Sequence, residues 1–117
     1  CLEFRRVSSD LELKTVLSDY PDRYVAARPR GWQIVKGPLD RRTLVFELAT
    51  QGRRRAMVFV ARVSTEVRGV QAPPEVPATT GGWSVGVWHE KGYVYVLMVE
   101  GREDRYRSLL SRRLPVA

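Results

Sequence analysis

The chain has 117 residues, a formal net charge of +7, 44% hydrophobic residues and 28% charged residues. This length predicts one domain over residues 1–117 with an ordinary hydrophobic core, and it excludes a second domain of normal size. No apolar run approaches the roughly 20 residues that a membrane-spanning helix needs. Because the chain begins with Cys1 and not with Met, we expect a fragment of a longer protein.

The cysteine and the basic residues limit the kinds of site and of binding partner that this chain can have. Cys1 is the only cysteine, so an intrachain disulfide and a cysteine-based zinc site are excluded. A cysteine at this position is either a lipoprotein attachment site or a chain boundary, and we expect the boundary. Lysine occurs only at positions 14, 36 and 91, so the basic residues are almost all arginine. The charge favours anionic partners, namely nucleic acid, lipid headgroups or an acidic protein.

The first predicted element is a helix that follows a leader over residues 1–8. Ser9 and Glu12 have the spacing of a capping box, in which each side chain satisfies a backbone N–H of the first turn. Pro21 is expected to end the helix. Its apolar face repeats at helical spacing and consists of Leu13, Val16, Leu17 and Tyr20.

Three strands are predicted next, at 32–35, 43–50 and 56–63, with a turn at 51–53 that joins the last two into a hairpin. Alternation in the third strand places Phe59 on the face that we assign to the core. Residues 64–82 form a predicted loop, because Pro73, Pro74 and Pro77 lack the N–H that a sheet needs. A connection of this length is expected to be mobile or to contact a partner.

The chain ends with a predicted hairpin, at 83–89 and 93–99, and a helix over 103–113. The fold class that follows is α+β: an antiparallel meander of about five strands, with the N-terminal and the C-terminal helix packed on the sheet. The predicted core contains Leu13, Val16, Leu17, Phe46, Leu48, Phe59, Trp88, Tyr95, Leu97, Leu109 and Leu110.

Catalytic chemistry is not predicted. His89 is the only histidine, and no Gly-x-Ser-x-Gly nucleophile elbow accompanies it. The acidic residues are dispersed, apart from Glu103 and Asp104 at the start of the last helix, where they suit the helix dipole. We therefore expect no enzyme activity, no catalytic residue, no cofactor and no metal.

Binding is the more promising function. Arg53, Arg54 and Arg55 form the densest basic cluster and lie at the tip of a predicted hairpin, whereas Arg41 and Arg42 are expected at the opposite end of the strand. The candidate partner-binding residues are Arg53, Arg54, Arg55, Pro73, Pro74 and Trp83. The alternative is a small nucleic-acid-binding module that uses arginine-rich turns and an aromatic sheet face, although the sequence pattern of an RNA-recognition motif is missing.

A family resemblance favours regulation. Gly82, Trp88 and the run Gly92-Tyr93-Val94-Tyr95-Val96-Leu97 resemble the strand pair that closes the extracytoplasmic domain of some membrane-anchored bacterial anti-sigma factors. The run from Arg54 to Val60 resembles the strand that precedes this pair, and the similarity in layout covers roughly residues 43–110.

The resemblance implies a non-catalytic, extracytoplasmic signalling domain on the periplasmic side of the inner membrane, tethered by an upstream segment. Such a domain recognises a protein partner or an envelope signal. Its parent protein regulates transcription by holding a sigma factor through a zinc-binding segment that this chain does not contain. Only the outer domain is therefore expected here, and nucleic acid is not its expected partner.

Overall fold

The structure, a computed structural model, describes residues 3–6, 10–21, 23–36, 42–63 and 71–111. This part of the chain is predominantly β-structure, in one seven-stranded antiparallel sheet with two short helices. The strands are β1 (Arg5–Arg6), β2 (Pro29–Lys36), β3 (Arg42–Leu48), β4 (Ala56–Arg62), β5 (Ala78–Thr80), β6 (Trp83–Glu90) and β7 (Tyr93–Glu100), and the helices are α1 (Asp10–Leu17) and α2 (Glu103–Ser108).

The strand order is β1-β2-β3-β4-β7-β6-β5, which corrects the predicted topology. Antiparallel pairing and both predicted hairpins are confirmed. The meander is wrong at its last step, because β7 and not β6 lies beside β4, with Val58 opposite Leu97. Strand β7 is almost continuously apolar, which suits a position inside the sheet, between two neighbouring strands. The prediction of about five strands missed β1 and β5, which are two and three residues long and carry no apolar alternation.

The C-terminal helix is shorter than predicted. Helix α2 ends at Ser108, and Leu110 instead forms an antiparallel bridge with Val25. The Ser111 N–H donates to the Tyr24 carbonyl at 2.6 Å, and the Ala26 N–H donates to the Leu109 carbonyl at 2.8 Å. Residues 109–111 therefore pair with residues 24–26 through backbone hydrogen bonds, and this pairing outweighs the helical preference of their sequence. The predicted end of the helix, 112–113, lies outside the described residues.

The core lies between α1, the segment 20–25 and α2 on one side and one face of the sheet on the other. The Trp88 ring stacks on Tyr95 at 5.4 Å between centroids, and Tyr20 meets Phe46 edge-on at 5.1 Å. Of the predicted core, six residues are buried: Phe46, Leu48, Trp88, Tyr95, Leu97 and Leu110. Val16, Leu17 and Leu109 are partly buried against this core, and the side chain of Leu13 lies outside the described part of the structure.

The predicted position of Phe59 in this core is wrong. In β4 the side chains of Ala56, Val58 and Val60 face the core, so Phe59 lies on the opposite face of the sheet, where it is partly buried. The opposite face is also apolar, since Val45 is fully buried there. A strand with apolar residues on both faces does not reveal which face the helices cover.

A glycine in β6 lets α2 lie on the sheet. A Cβ placed on Gly86 would lie 2.7 Å from Cζ of Tyr106 and 2.8 Å from Cε2, so only glycine admits this ring. The buried Tyr106 hydroxyl donates to the Pro74 carbonyl at 2.9 Å, and Nε of Arg107 donates to the Glu75 carbonyl at 3.1 Å. Burial raises the pKa of Tyr106 to about 12.

Part of the predicted loop over 64–82 is a strand. Residues 71–77 contact α2 through Pro74 and Glu75, and Ala78–Thr80 form β5 instead of loop. The remaining part, 64–70, lies outside the described residues. Proline content correctly excluded pairing at the prolines themselves, but it said nothing about the three residues that follow the last of them.

Candidate functional site: the arginine end of the sheet

Three chain connections meet at one end of the sheet: the β3–β4 turn, the β5–β6 turn and the link from β7 to α2. Strand β7 ends where β4 and β6 begin, because the three strands are antiparallel neighbours. The Glu100 N–H donates to the Arg55 carbonyl and the Gly101 N–H donates to the Gly82 carbonyl, each at 2.8 Å. This geometry brings together six residues that we call the arginine end: Arg53, Arg54, Arg55, Trp83, Arg102 and Arg105.

The turn between β3 and β4 presents the first three arginines. Gly52 adopts a φ of 89°, a left-handed conformation that glycine accommodates at low cost. The Thr50 hydroxyl donates to the Arg54 carbonyl at 2.6 Å and closes the turn. Arg53, Arg54 and Arg55 are all exposed. Arg42 starts β3 at its other end and is therefore separate from this cluster, as predicted, whereas Arg41 lies outside the described residues.

Two arginine side chains meet over a single glycine. Gly101 connects β7 to α2 with a φ of 126°. A Cβ placed on Gly101 would lie 2.8 Å from Nη1 of Arg54 and 2.6 Å from Cδ of Arg105. Arg54 comes from the β3–β4 turn and Arg105 from α2, so the fold holds two cationic side chains against the same Cα atom.

The arginines of this region differ in their ion pairs. Arg55 lies 3.6 Å from a carboxylate oxygen of Glu47, and Glu47 also pairs with Arg30 at 2.5 Å. Arg107 pairs with Glu103 along α2. Within the described residues, no carboxylate lies at ion-pairing distance from four arginines of the arginine end: Arg53, Arg54, Arg102 and Arg105.

Two clefts flank the meeting point of Arg54 and Arg105. One, of about 590 Å³, lies between the β3–β4 turn and α2 and is lined by Arg54, Arg55 and Arg105 together with Glu100 and Asp104. The other, of about 540 Å³, is lined by Arg54, Arg102 and Trp83 together with Thr79, Glu103 and the two glycines of the neighbouring connections. Arg54 borders both clefts, so the two clefts adjoin at its side chain. We call the two clefts together the groove.

The predicted binding residues are divided by the structure. Arg54 and Trp83 line one cleft, Arg55 lines the other, and Arg53 is exposed at the tip of the same turn. Pro73 is buried, and the carbonyl of Pro74 accepts the hydroxyl of Tyr106. Because these prolines line neither of the two clefts, the structure does not join them to the arginines.

Sequence reasoning missed Arg102 and Arg105. Both follow β7 by only a few residues and read as polar positions of a helix. They reach the site because β7 pairs with β4, which places the start of α2 beside the β3–β4 turn. A signal was present in Gly101, since a lone glycine between a strand and a helix is typical of a close approach by neighbouring groups.

Most aromatic side chains of the sheet are buried in the core or packed against it. Trp88 is 1% exposed and lies between Tyr95 and Tyr24. Burial, with a smaller contribution from the nearby Glu90 carboxylate, raises the pKa of Tyr95 to about 12. Trp32 is partly exposed and carries the guanidinium of Arg5 over its ring at 5.4 Å.

Within the ranges that the structure describes, no three His, Cys, Asp or Glu side chains lie close enough together to hold a metal ion. In the same ranges, neither helix is long and apolar enough to cross a membrane. Comparison of the chain with protein-family models, with curated proteins and with solved structures gave no match.

Proposed function

We propose that this is a non-catalytic regulatory domain that binds a protein partner through its arginine end. The observation that supports the proposal is the convergence of Arg54, from the β3–β4 turn, with Arg102 and Arg105, from the start of α2, and with Trp83 beside them. Guanidinium groups without carboxylate partners attract an anionic surface over long distances. Arginine and tryptophan are also the residue types that contribute most at protein–protein interfaces.

The resemblance in the C-terminal hairpin extends this proposal. The domain is then the extracytoplasmic part of a membrane-anchored anti-sigma factor, and the partner is an envelope protein or another envelope signal. Binding at the arginine end changes how the cytoplasmic part of the protein holds its sigma factor. This chain supplies recognition and no chemistry.

The test uses the full-length protein in its own host. We expect that the double variant Arg53→Gln with Arg54→Gln changes sigma-factor-dependent transcription, whereas Arg42→Gln at the other end of the sheet does not. Full-length protein in the membrane fraction, with this domain accessible to protease from outside the inner membrane, supports the anchored form. Full-length protein recovered in the cytosol, or equal transcription in the two arginine variants, contradicts the proposal.

The alternative is nucleic-acid binding. The aromatic face that it requires is largely filled, because Trp88 and Tyr95 stack on each other inside the core. Binding would therefore depend on arginine contacts to phosphate, which weaken steeply as salt rises. A single-stranded oligonucleotide that binds tightly in low salt, with loss of binding in the Arg53→Gln and Arg54→Gln variants, would favour this alternative over a protein partner.

A further inference from the structure

The groove across Gly101 has the chemistry of a carboxylate site. Two guanidinium-bearing side chains approach one Cα atom there, and neither has a carboxylate partner within the described ranges. Nη1 of Arg54 and the aliphatic stem of Arg105 lie at this glycine, so the two cationic side chains border the same surface, and an anion bound there interacts favourably with both charges. The planar guanidinium donates two parallel hydrogen bonds to a carboxylate, which makes arginine the preferred residue for such a group.

The residues around the two arginines favour an acidic peptide over a nucleic-acid strand as the ligand. Glu100 and Asp104 line the larger cleft beside Arg54 and Arg105. A nucleic-acid strand, with a charge on every nucleotide, would bring phosphates towards these two carboxylates. A peptide can place a carboxylate at the arginines and a neutral residue beside Glu100 and Asp104, so the alternating charge of the groove favours a peptide with spaced acidic residues.

The second cleft supplies an apolar contact. Trp83 is partly exposed there, and Thr79 of the edge strand β5, Arg102 and Glu103 also line the cleft. The Glu103 carboxylate is paired with Arg107. A peptide that crosses Arg54 from the larger cleft reaches the tryptophan next. An apolar residue next to an acidic residue fits this order of contacts, because an aromatic side chain buries apolar surface while the adjacent arginines hold the charge.

We infer that the groove binds an acidic peptide segment of a protein partner, with one carboxylate between Arg54 and Arg105 and a neighbouring apolar side chain against Trp83. The inference rests on the proposed function and adds to it the chemical class of the partner segment. It also assigns Arg105 and Arg102 to the binding site.

The test titrates the domain with a fluorescent synthetic peptide of alternating glutamate and leucine. We expect that Arg54→Gln and Arg105→Gln each weaken binding by about tenfold or more, as for loss of a charge-assisted hydrogen bond. Arg42→Gln makes the same change in net charge at the opposite end and should leave binding unchanged. Amide resonances of Gly82 and Gly101 should shift with this peptide and not with its glutamine counterpart.

Three results would overturn the inference: equal weakening by Arg42→Gln, equal binding of the glutamine peptide, or tighter binding of an oligothymidylate that competes with the glutamate peptide. Failure here is distinguishable from failure of the proposed function. If the transcription response depends on Arg54 while the peptide does not bind, the peptide site is wrong and the regulatory function stands. If the peptide binds at Arg54 but the transcription response is unchanged, the site stands and the regulatory function is wrong.

Discussion

The Gly86→Ala substitution tests how α2 packs on the sheet. The added methyl group would lie 2.7 Å from Cζ of Tyr106, about 1 Å inside ordinary carbon–carbon contact. Overpacking of this kind costs about 1–3 kcal/mol. If the ring is displaced, the hydrogen bond to the Pro74 carbonyl is lost as well, at about 1 kcal/mol. We therefore expect Gly86→Ala to lower the free energy of unfolding by about 3 kcal/mol.

Chemical denaturation followed by circular dichroism measures this loss directly. A second measurement is thermal unfolding, where a domain of this size should lose roughly 4 °C in Tm per kcal/mol. Tyr106→Ala removes the clashing ring, so Gly86→Ala in that background should cost nothing further, apart from the small gain from replacing a strand glycine. A Gly86→Ala variant within 0.5 kcal/mol of the parent, or full additivity with Tyr106→Ala, would refute this packing.

Further predictions concern stability. Tyr106→Phe should cost about 1 kcal/mol and increase hydrogen exchange of residues 71–77, since it removes the bond to Pro74; unchanged exchange would contradict a role for that bond in holding the segment. Phe46→Ala should cost about 3–5 kcal/mol, and Phe59→Ala clearly less, because Phe46 is fully buried in the core and Phe59 is partly exposed on the other face; equal losses in denaturation would reverse that assignment. The pKa values of Tyr95 and Tyr106 rise from 10.0 to about 12 on folding, so their contribution to stability is complete below pH 10 and is lost as the pH rises towards 12. Absorbance of tyrosinate should show Tyr95 and Tyr106 ionising only as the pH approaches 12, and ionisation of these two residues near pH 10 in the folded protein would oppose it.

The long strands could be predicted from the sequence because their signals are local. Runs rich in Val, Trp and Tyr on either side of the Lys91-Gly92 turn define β6 and β7, and both turn residues adopt the positive φ that a two-residue hairpin needs. The order of the strands could not be predicted in the same way. Whether β6 or β7 pairs with β4 depends on which strand buries more apolar surface on both faces, and that is a property of the assembled sheet.

The binding site was predicted in part for the same reason. Arg53, Arg54 and Arg55 form a visible cluster in the sequence, and their place on a turn follows from the hairpin. Arg102 and Arg105 join them only through the pairing of β7 with β4. Pro73 and Pro74 were selected because proline excludes a strand, a property that cannot distinguish an exposed binding loop from a segment packed against a helix.

The reversed order of the last three strands has a consequence for synthesis on the ribosome. Strand β7 lies inside the sheet, between β4 and β6, yet it is the last of the seven strands to be translated. Until it emerges, β4 has only β3 as a neighbour and exposes a long apolar edge. Strands β1 to β4 can therefore form only a partial sheet during translation, and sequence-distant pairing of this kind folds slowly. A nascent chain that stops before Tyr93 should accordingly be a good substrate for chaperones and prone to aggregation, whereas one that extends through α2 should fold and be released.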